Sequence, residues 1–170
     1  MQEPARFKSP EYLNVLAAEA SEQICRIDPD SIRTMGDGAG RGYPLEVCGL
    51  LIGRITPQGW EITSAREVPN LNTERAADRF ILDPDAYRAI DRELQGSGTE
   101  IVGIYHSHPD CPAKPSPTDL DGAWDGFAYI IVSVYKQEMQ DIRCWALSPE
   151  GDKFQAVQIE NHTSHQSRNP

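Results

Sequence analysis

No stretch of this chain approaches the roughly 18 consecutive apolar residues that a bilayer-spanning helix needs, and the region after Met1 carries no signal-like apolar segment. Clusters of lysine and arginine are also missing. A formal charge of −10 leaves little with which to grip a phosphate backbone, because nonspecific nucleic-acid affinity comes mainly from clustered basic side chains. Neither a membrane nor a nucleic acid is therefore expected as a partner. Cysteine is scarce, and Cys25, Cys48, Cys111 and Cys144 lack the close CxxC spacing of a structural zinc or a redox pair. A chain of 170 residues can bury a core without disulfide staples, so unpatterned thiols point to a reducing, cytoplasmic setting. There is no internal repeat and no sign of a second domain.

What is present is concentrated chemistry. Of four histidines, two sit in Tyr105-His106-Ser107-His108-Pro109, and Asp119 follows eleven residues after the second. The apolar run Ile101 to Tyr105 predicts a buried strand, in which residues i and i+2 share a face. His106 and His108 then project in parallel. Pro109 cannot extend a sheet ladder, so the chain should leave the strand there and enter the loop from Asp110 to Pro115. In Ser116-Pro117-Thr118-Asp119, Ser116 is a helix cap with proline at the first helical position, which puts Asp119 in the first turn, able to face back toward the two rings. Two imidazoles and a carboxylate with an open fourth position make a catalytic metal site, and zinc is the expected ion.

Elsewhere the pattern reads as an α/β domain. Residues 1–8 form a polar leader. Ser9-Pro10 opens a helix with Leu13, Leu16, Ala17, Ala20 and Ile24 at helical spacing, which carries Cys25. Asp28-Pro29-Asp30 stops that helix, and a long glycine-rich loop follows over about 30–44; it lacks the lysine and the strand-to-helix setting of a phosphate-binding loop. Residues 46–55 and 60–68 predict a hairpin around Thr56-Pro57-Gln58-Gly59. Arg79 to Leu82 is a short strand, and Asp83-Pro84 opens a helix with Tyr87, Ile90 and Leu94 on one face. Three more strands are expected over 127–134, 141–147 and 153–159. Residues 160–170 are polar and expected to be disordered, and His162 and His165 there are not expected as ligands.

The window His106-Ser107-His108-Pro109 with Ser116 and Asp119 resembles the JAMM signature of the MPN (JAB) metalloprotease superfamily. The family's upstream glutamate matches Glu46 in Glu46-Val47-Cys48-Gly49-Leu50-Leu51. The likeness runs from about residue 44 to about residue 158 and is strongest to the small bacterial, stand-alone branch. It implies a single MPN-like (cytidine-deaminase-like) domain over 9–159, a mixed β-sheet flanked by helices. It also implies a zinc peptidase or isopeptidase acting after the C-terminal glycine of a ubiquitin-like or sulfur-carrier protein, with release of an amino acid such as cysteine fitting best. In that reading His106, His108 and Asp119 hold Zn2+, Glu46 is the general base, and Ser116 both caps a helix and donates to the oxyanion. A narrow cleft beside an edge strand would suit the extended substrate tail.

Some readings stay open at this level. Cys111 is either a free loop thiol, the favoured reading, or a ligand or redox modulator of the metal. A non-catalytic MPN scaffold is disfavoured because all five signature residues are present. A RadC-like, DNA-associated JAB domain is disfavoured by the acidic composition.

Overall fold

The strand-forming runs pair into one continuous sheet. The computed structural model describes residues 1–162; of the tail expected to be disordered over 160–170, Glu160 and Asn161 instead end β7, while residues 163–170, His165 among them, lie outside the described residues. The strands are β1 (Ile24–Ile27), β2 (Cys48–Thr56), β3 (Gly59–Val68), β4 (Glu100–Pro109), β5 (Ala128–Tyr135), β6 (Glu138–Leu147) and β7 (Phe154–Asn161). Their spatial order is β1-β3-β2-β4-β5-β6-β7. β4 and β5 run parallel, the β2–β3 hairpin and the β5–β6–β7 meander are antiparallel, and β1 lies parallel to both β3 and β7. The sheet is mixed, as the resemblance implies, and β1 closes it into a barrel. Each of the seven strands therefore has two neighbours, so the edge strand expected beside the cleft is not in this sheet. The short strand expected over Arg79 to Leu82 is reduced to one isolated bridge, Asn70 to Leu82.

Helices cover both faces. They are α1 (Pro10–Leu13), α2 (Pro29–Gly42), α3 (Pro84–Leu94) and α4 (Pro117–Asp121). α2 presents Met35 and Ala39, both fully buried, to a core with Leu51, Ile62, Val102 and Ile130. Tyr87, Ile90 and Leu94 of α3 pack on the second core, with Leu50, Ile104 and Tyr129. That apolar face was legible from helical spacing. Among the described residues no helix is long and apolar enough to cross a membrane.

The N-terminal third departs from the sequence-based expectation in three places. The helix begun by Ser9-Pro10 lasts only to Leu13. Ile24 to Ile27 belongs to β1, where Cys25 and Ile27 alternate inward; a period of two overrides the helical spacing, so Cys25 is a strand residue. Asp28-Pro29 starts a helix rather than ending one, because the Asp28 carboxylate accepts the Ser31 amide at 2.8 Å and Pro29 takes the first turn. The glycine-rich loop expected over 30–44 is therefore mostly the 14-residue helix α2. Its glycines answer to packing: a Cβ on Gly40 would lie 2.4 Å from the Gln137 carbonyl oxygen in the β5–β6 turn.

The polar leader is also structured. Ala5–Lys8 forms a 3-10 turn, and Phe7 is only 5% exposed. Glu3 pairs with Lys114 at 2.7 Å, tying the segment to the loop after β4.

Gly40→Ala tests the packing of α2. Alanine favours a helix by about 1 kcal/mol over glycine, but here overpacking against backbone should win and lower stability by about 1–3 kcal/mol. A urea midpoint below that of the parent is the expected result; a flexible loop would show no change or a small gain.

Candidate metal centre

β4 sets the site. As successive alternate residues, His106 and His108 turn their rings the same way, and both are nearly buried, at 3% and 5% exposure. Their Nε2 atoms approach to 3.0 Å. The His108 Nδ1 lies 2.9 Å from the Pro112 carbonyl oxygen, a contact that requires Nδ1 to carry a proton and turns Nε2 toward its neighbour. The parallel β4–β5 pairing holds both residues in register, with His106 beside Ile131 and His108 beside Ser133.

The third donor arrives from α4. Ser116 and Asp119 form a reciprocal capping box: the Ser116 amide donates to Asp119 Oδ2 at 2.8 Å, and the Asp119 amide donates to Ser116 Oγ at 3.1 Å. Asp119 is thereby locked with Oδ1 3.3 Å from His106 Nε2 and Oδ2 3.6 Å from His108 Nε2. These residues form a group that can hold a metal ion. Asp119 turns a different oxygen to each imidazole, and one donor atom from each of the three residues lies within 4.8 Å of the others. The donor set of two imidazoles and one carboxylate also suits zinc, with a fourth position left over.

Electrostatics show how strongly the pocket favours positive charge. Burial alone would raise the Asp119 carboxyl, but the attraction of His106 and hydrogen bonds with both imidazoles outweigh it and hold the group well below the ordinary carboxylate range. His106 is pulled down by burial and raised overall by Asp119 and Glu46. The Glu46 side moves the other way: burial pushes its carboxyl up, and the two imidazoles offset this only in part.

Glu46 precedes β2 and is 7% exposed. Its backbone is clamped on both sides. The next residue, Val47, exchanges two hydrogen bonds with Ser107, its amide donating to Oγ and its carbonyl accepting the Ser107 amide, both at 2.9 Å. Asn70 Nδ2 donates to the Glu46 carbonyl oxygen at 3.1 Å. The middle residue of His-x-His thus ties the glutamate segment to the strand that carries the imidazoles.

All five signature residues meet here. Glu46, His106, Ser116 and Asp119 line a cavity of about 510 Å³; Glu46, Ser116 and His108 also line a smaller chamber beside it. Cys111 lines the chamber but stands outside the donor group. Its Sγ accepts a hydrogen bond from Arg6 at 3.0 Å, and burial pushes its thiol pKa up. His162 lies near Glu61, 3.7 Å away, and takes no part in the group.

Two aromatic residues went unnoticed in the sequence. Phe80 stacks on the His106 ring at 4.6 Å, and Phe7 tilts against His108 at 6.3 Å. Both come from segments far from β4 that had read as an isolated short strand and a polar leader. For Phe7, an apolar residue within a polar stretch was the available signal.

The chain matches the family described as prokaryotic homologs of the JAB domain over residues 29–148. It is 34% identical over 146 residues to the desampylase of Haloferax volcanii, covering 85% of this chain and 93% of that protein. It is 29% identical over 134 residues to the CysO-cysteine peptidase of Mycobacterium tuberculosis, covering 78% and 89% respectively. A solution structure of a protein from Salinibacter ruber superposes with a TM-score of 0.64 at 35% identity, covering 82% of this chain and 93% of that one. A match that takes in the Glu46 segment as well as β4 and α4 means that the chain belongs to the prokaryotic branch of the JAB domain family.

Proposed function

We propose that this protein is a zinc-dependent peptidase that hydrolyses the amide bond following the C-terminal glycine of a ubiquitin-like or sulfur-carrier protein. The carrying observation is the meeting of a buried glutamate with a two-histidine, one-aspartate donor group at the head of a groove. Relatives named desampylase, CysO-cysteine peptidase and probable TtuB-protein conjugate cleaving protease support the substrate class.

His106, His108 and Asp119 would hold the ion. When bound, it supplies a Lewis acid for the scissile carbonyl and brings the pKa of a water toward neutrality. Glu46 then acts as general base at its carboxylate, taking a proton from the attacking water and handing it to the nitrogen of the departing amine. The C–N bond breaks, the water oxygen stays on the glycine carbon as part of a new carboxylate, and the amine leaves. Low exposure suits the glutamate to this shuttle, since its raised proton affinity narrows the gap between acceptor and donor.

Ser116 has two roles that need not compete. Its Oγ accepts the Asp119 amide hydrogen, which leaves the hydroxyl's own proton available to the oxyanion that develops on the carbonyl. The groove is walled by Phe80, Leu82, Tyr87 and Trp124, and Trp124 is 54% exposed at its rim. Such an apolar trench fits an extended, flexible tail better than a folded surface.

Three outcomes follow. Metal analysis after zinc loading and dialysis should give about one zinc per chain for the parent and well under that for His108→Ala; equal contents would remove His108 from the donor group. Glu46→Gln should keep its zinc and its unfolding midpoint while kcat on a carrier conjugate falls by ~10²–10⁴, and an undiminished kcat would exclude Glu46 as the base. Ser116→Gly should cost only a few tenths of a kcal/mol in capping yet lower kcat by ~10²–10³ with its zinc content unchanged, whereas a serine that only locks Asp119 would lose zinc along with kcat in that variant.

A further inference from the structure

The metal-ligand pair divides the space around it into two unequal parts. On the His106 side lies the apolar groove of about 510 Å³. On the His108 side lies a chamber of about 60 Å³, closed by the N-terminal segment and the loop after β4. Glu46, Asp78, Arg79 and Ser116 line both, so the boundary between the two passes through the catalytic groups. A substrate tail occupying the groove would place its scissile amide at this boundary and its leaving group in the chamber.

The chamber is small and its charge is distinctive. Two arginines, Arg6 and Arg79, are among the residues that line it. Arg6 is held over the Phe7 ring, 5.2 Å from its centroid, and donates to the Cys111 thiol at 3.0 Å, a weak acceptor that a carboxylate would displace. Among the described residues the Arg79 guanidinium has no carboxylate partner; only its backbone carbonyl is engaged, by Asn70. Of the acids that line the chamber, Asp78 is already paired with Arg75, and Glu46 is the proposed proton carrier for the departing nitrogen. An anion held by Arg6 and Arg79 next to an amine served by Glu46 matches an α-amino acid, with its amine and carboxylate on adjacent atoms.

The geometry points to Arg6 and Arg79 as the residues that select the leaving group, a single small amino acid bearing a free α-carboxylate, in preference to a lysine side chain within a protein. This rests on the peptidase reading above. A guanidinium recognises a carboxylate through paired, charge-assisted hydrogen bonds. A site built for that partner discriminates against an analogue lacking it, because the donors are then left unpaired. The docked N-terminal segment, held by Phe7 on His108 and Glu3 on Lys114, keeps the chamber too small for a continuing polypeptide.

The test joins the C-terminal glycine of a ubiquitin-like carrier to alanine, to alaninamide, or to the lysine side chain of a short peptide, and compares kcat/KM for the zinc-loaded protein. The parent should favour alanine over alaninamide by about tenfold or more, the factor expected of a charged hydrogen-bond pair. That ratio should fall toward one in Arg79→Gln and shrink in Arg6→Gln, with Arg79→Lys keeping part of it. Equal rates on alanine and alaninamide conjugates in the parent, or an unchanged ratio in both glutamine variants, would overturn the assignment. Binding separates this from failure of the peptidase reading. In the zinc-loaded protein the arginine Nε–Hε resonances of Arg6 and Arg79 should move on titration with alanine and stay in place with alaninamide. If no conjugate is cleaved, the peptidase reading fails and these resonances alone decide the chamber: movement upholds it, and no movement overturns it.

Discussion

Two imidazole nitrogens and a carboxylate are crowded within 3.0–3.6 Å of one another in a place that water barely reaches. Electron-rich atoms so arranged repel unless a positive charge stands among them, and in a weakly screened interior that preference is large. The Asp119 carboxyl held deep in its ionised form and the raised proton affinity of His106 are two expressions of this one demand. Everything else near the site keeps the atoms from relaxing apart. β5 fixes β4 in register, the capping box fixes Asp119, and the Pro112 carbonyl fixes the tautomer of His108.

Each imidazole is also wedged from outside its own strand. Phe80 lies on one imidazole and Phe7 leans on the other, so the connection before α3 and the N-terminal turn both contribute to the orientation of the rings. Ser107, wholly buried between the two histidines in sequence, turns to the opposite side of β4 and fastens the glutamate segment. The strand thus uses its two faces for two parts of the same cluster, the imidazoles on one and the anchor of the Glu46 segment on the other.

The site was more legible than the scaffold. His-x-His on an apolar strand, a proline stop and a serine-capped turn are local instructions, and local geometry carried them out. Glu46 was named only through family resemblance, since nothing near it in the sequence sets it apart from other acids; its place depends on hydrogen bonds to Ser107 and Asn70 from other segments. The N-terminal third misled for a related reason. Leu13, Leu16 and Ile24 have helical spacing by coincidence, and β1 exists because β3 and β7 are there to pair with it. α2 looked like a loop because glycine ordinarily weakens helices, and its demand for close contact with the β5–β6 turn becomes visible only in three dimensions.

Closure of the barrel by β1 has a kinetic side. Four residues near the start of the chain must find β7, across which Arg26 reaches Glu160, and contacts of such long sequence separation are slow to form. A nascent chain emerging from the ribosome can assemble β2, β3, β4 and β5, and with them the donor group, while β1 still waits for its second neighbour. During that interval β1 keeps an open flank, the kind of surface on which half-made β-proteins stick to each other. The donor group is therefore built before the seam that protects the molecule from its own copies.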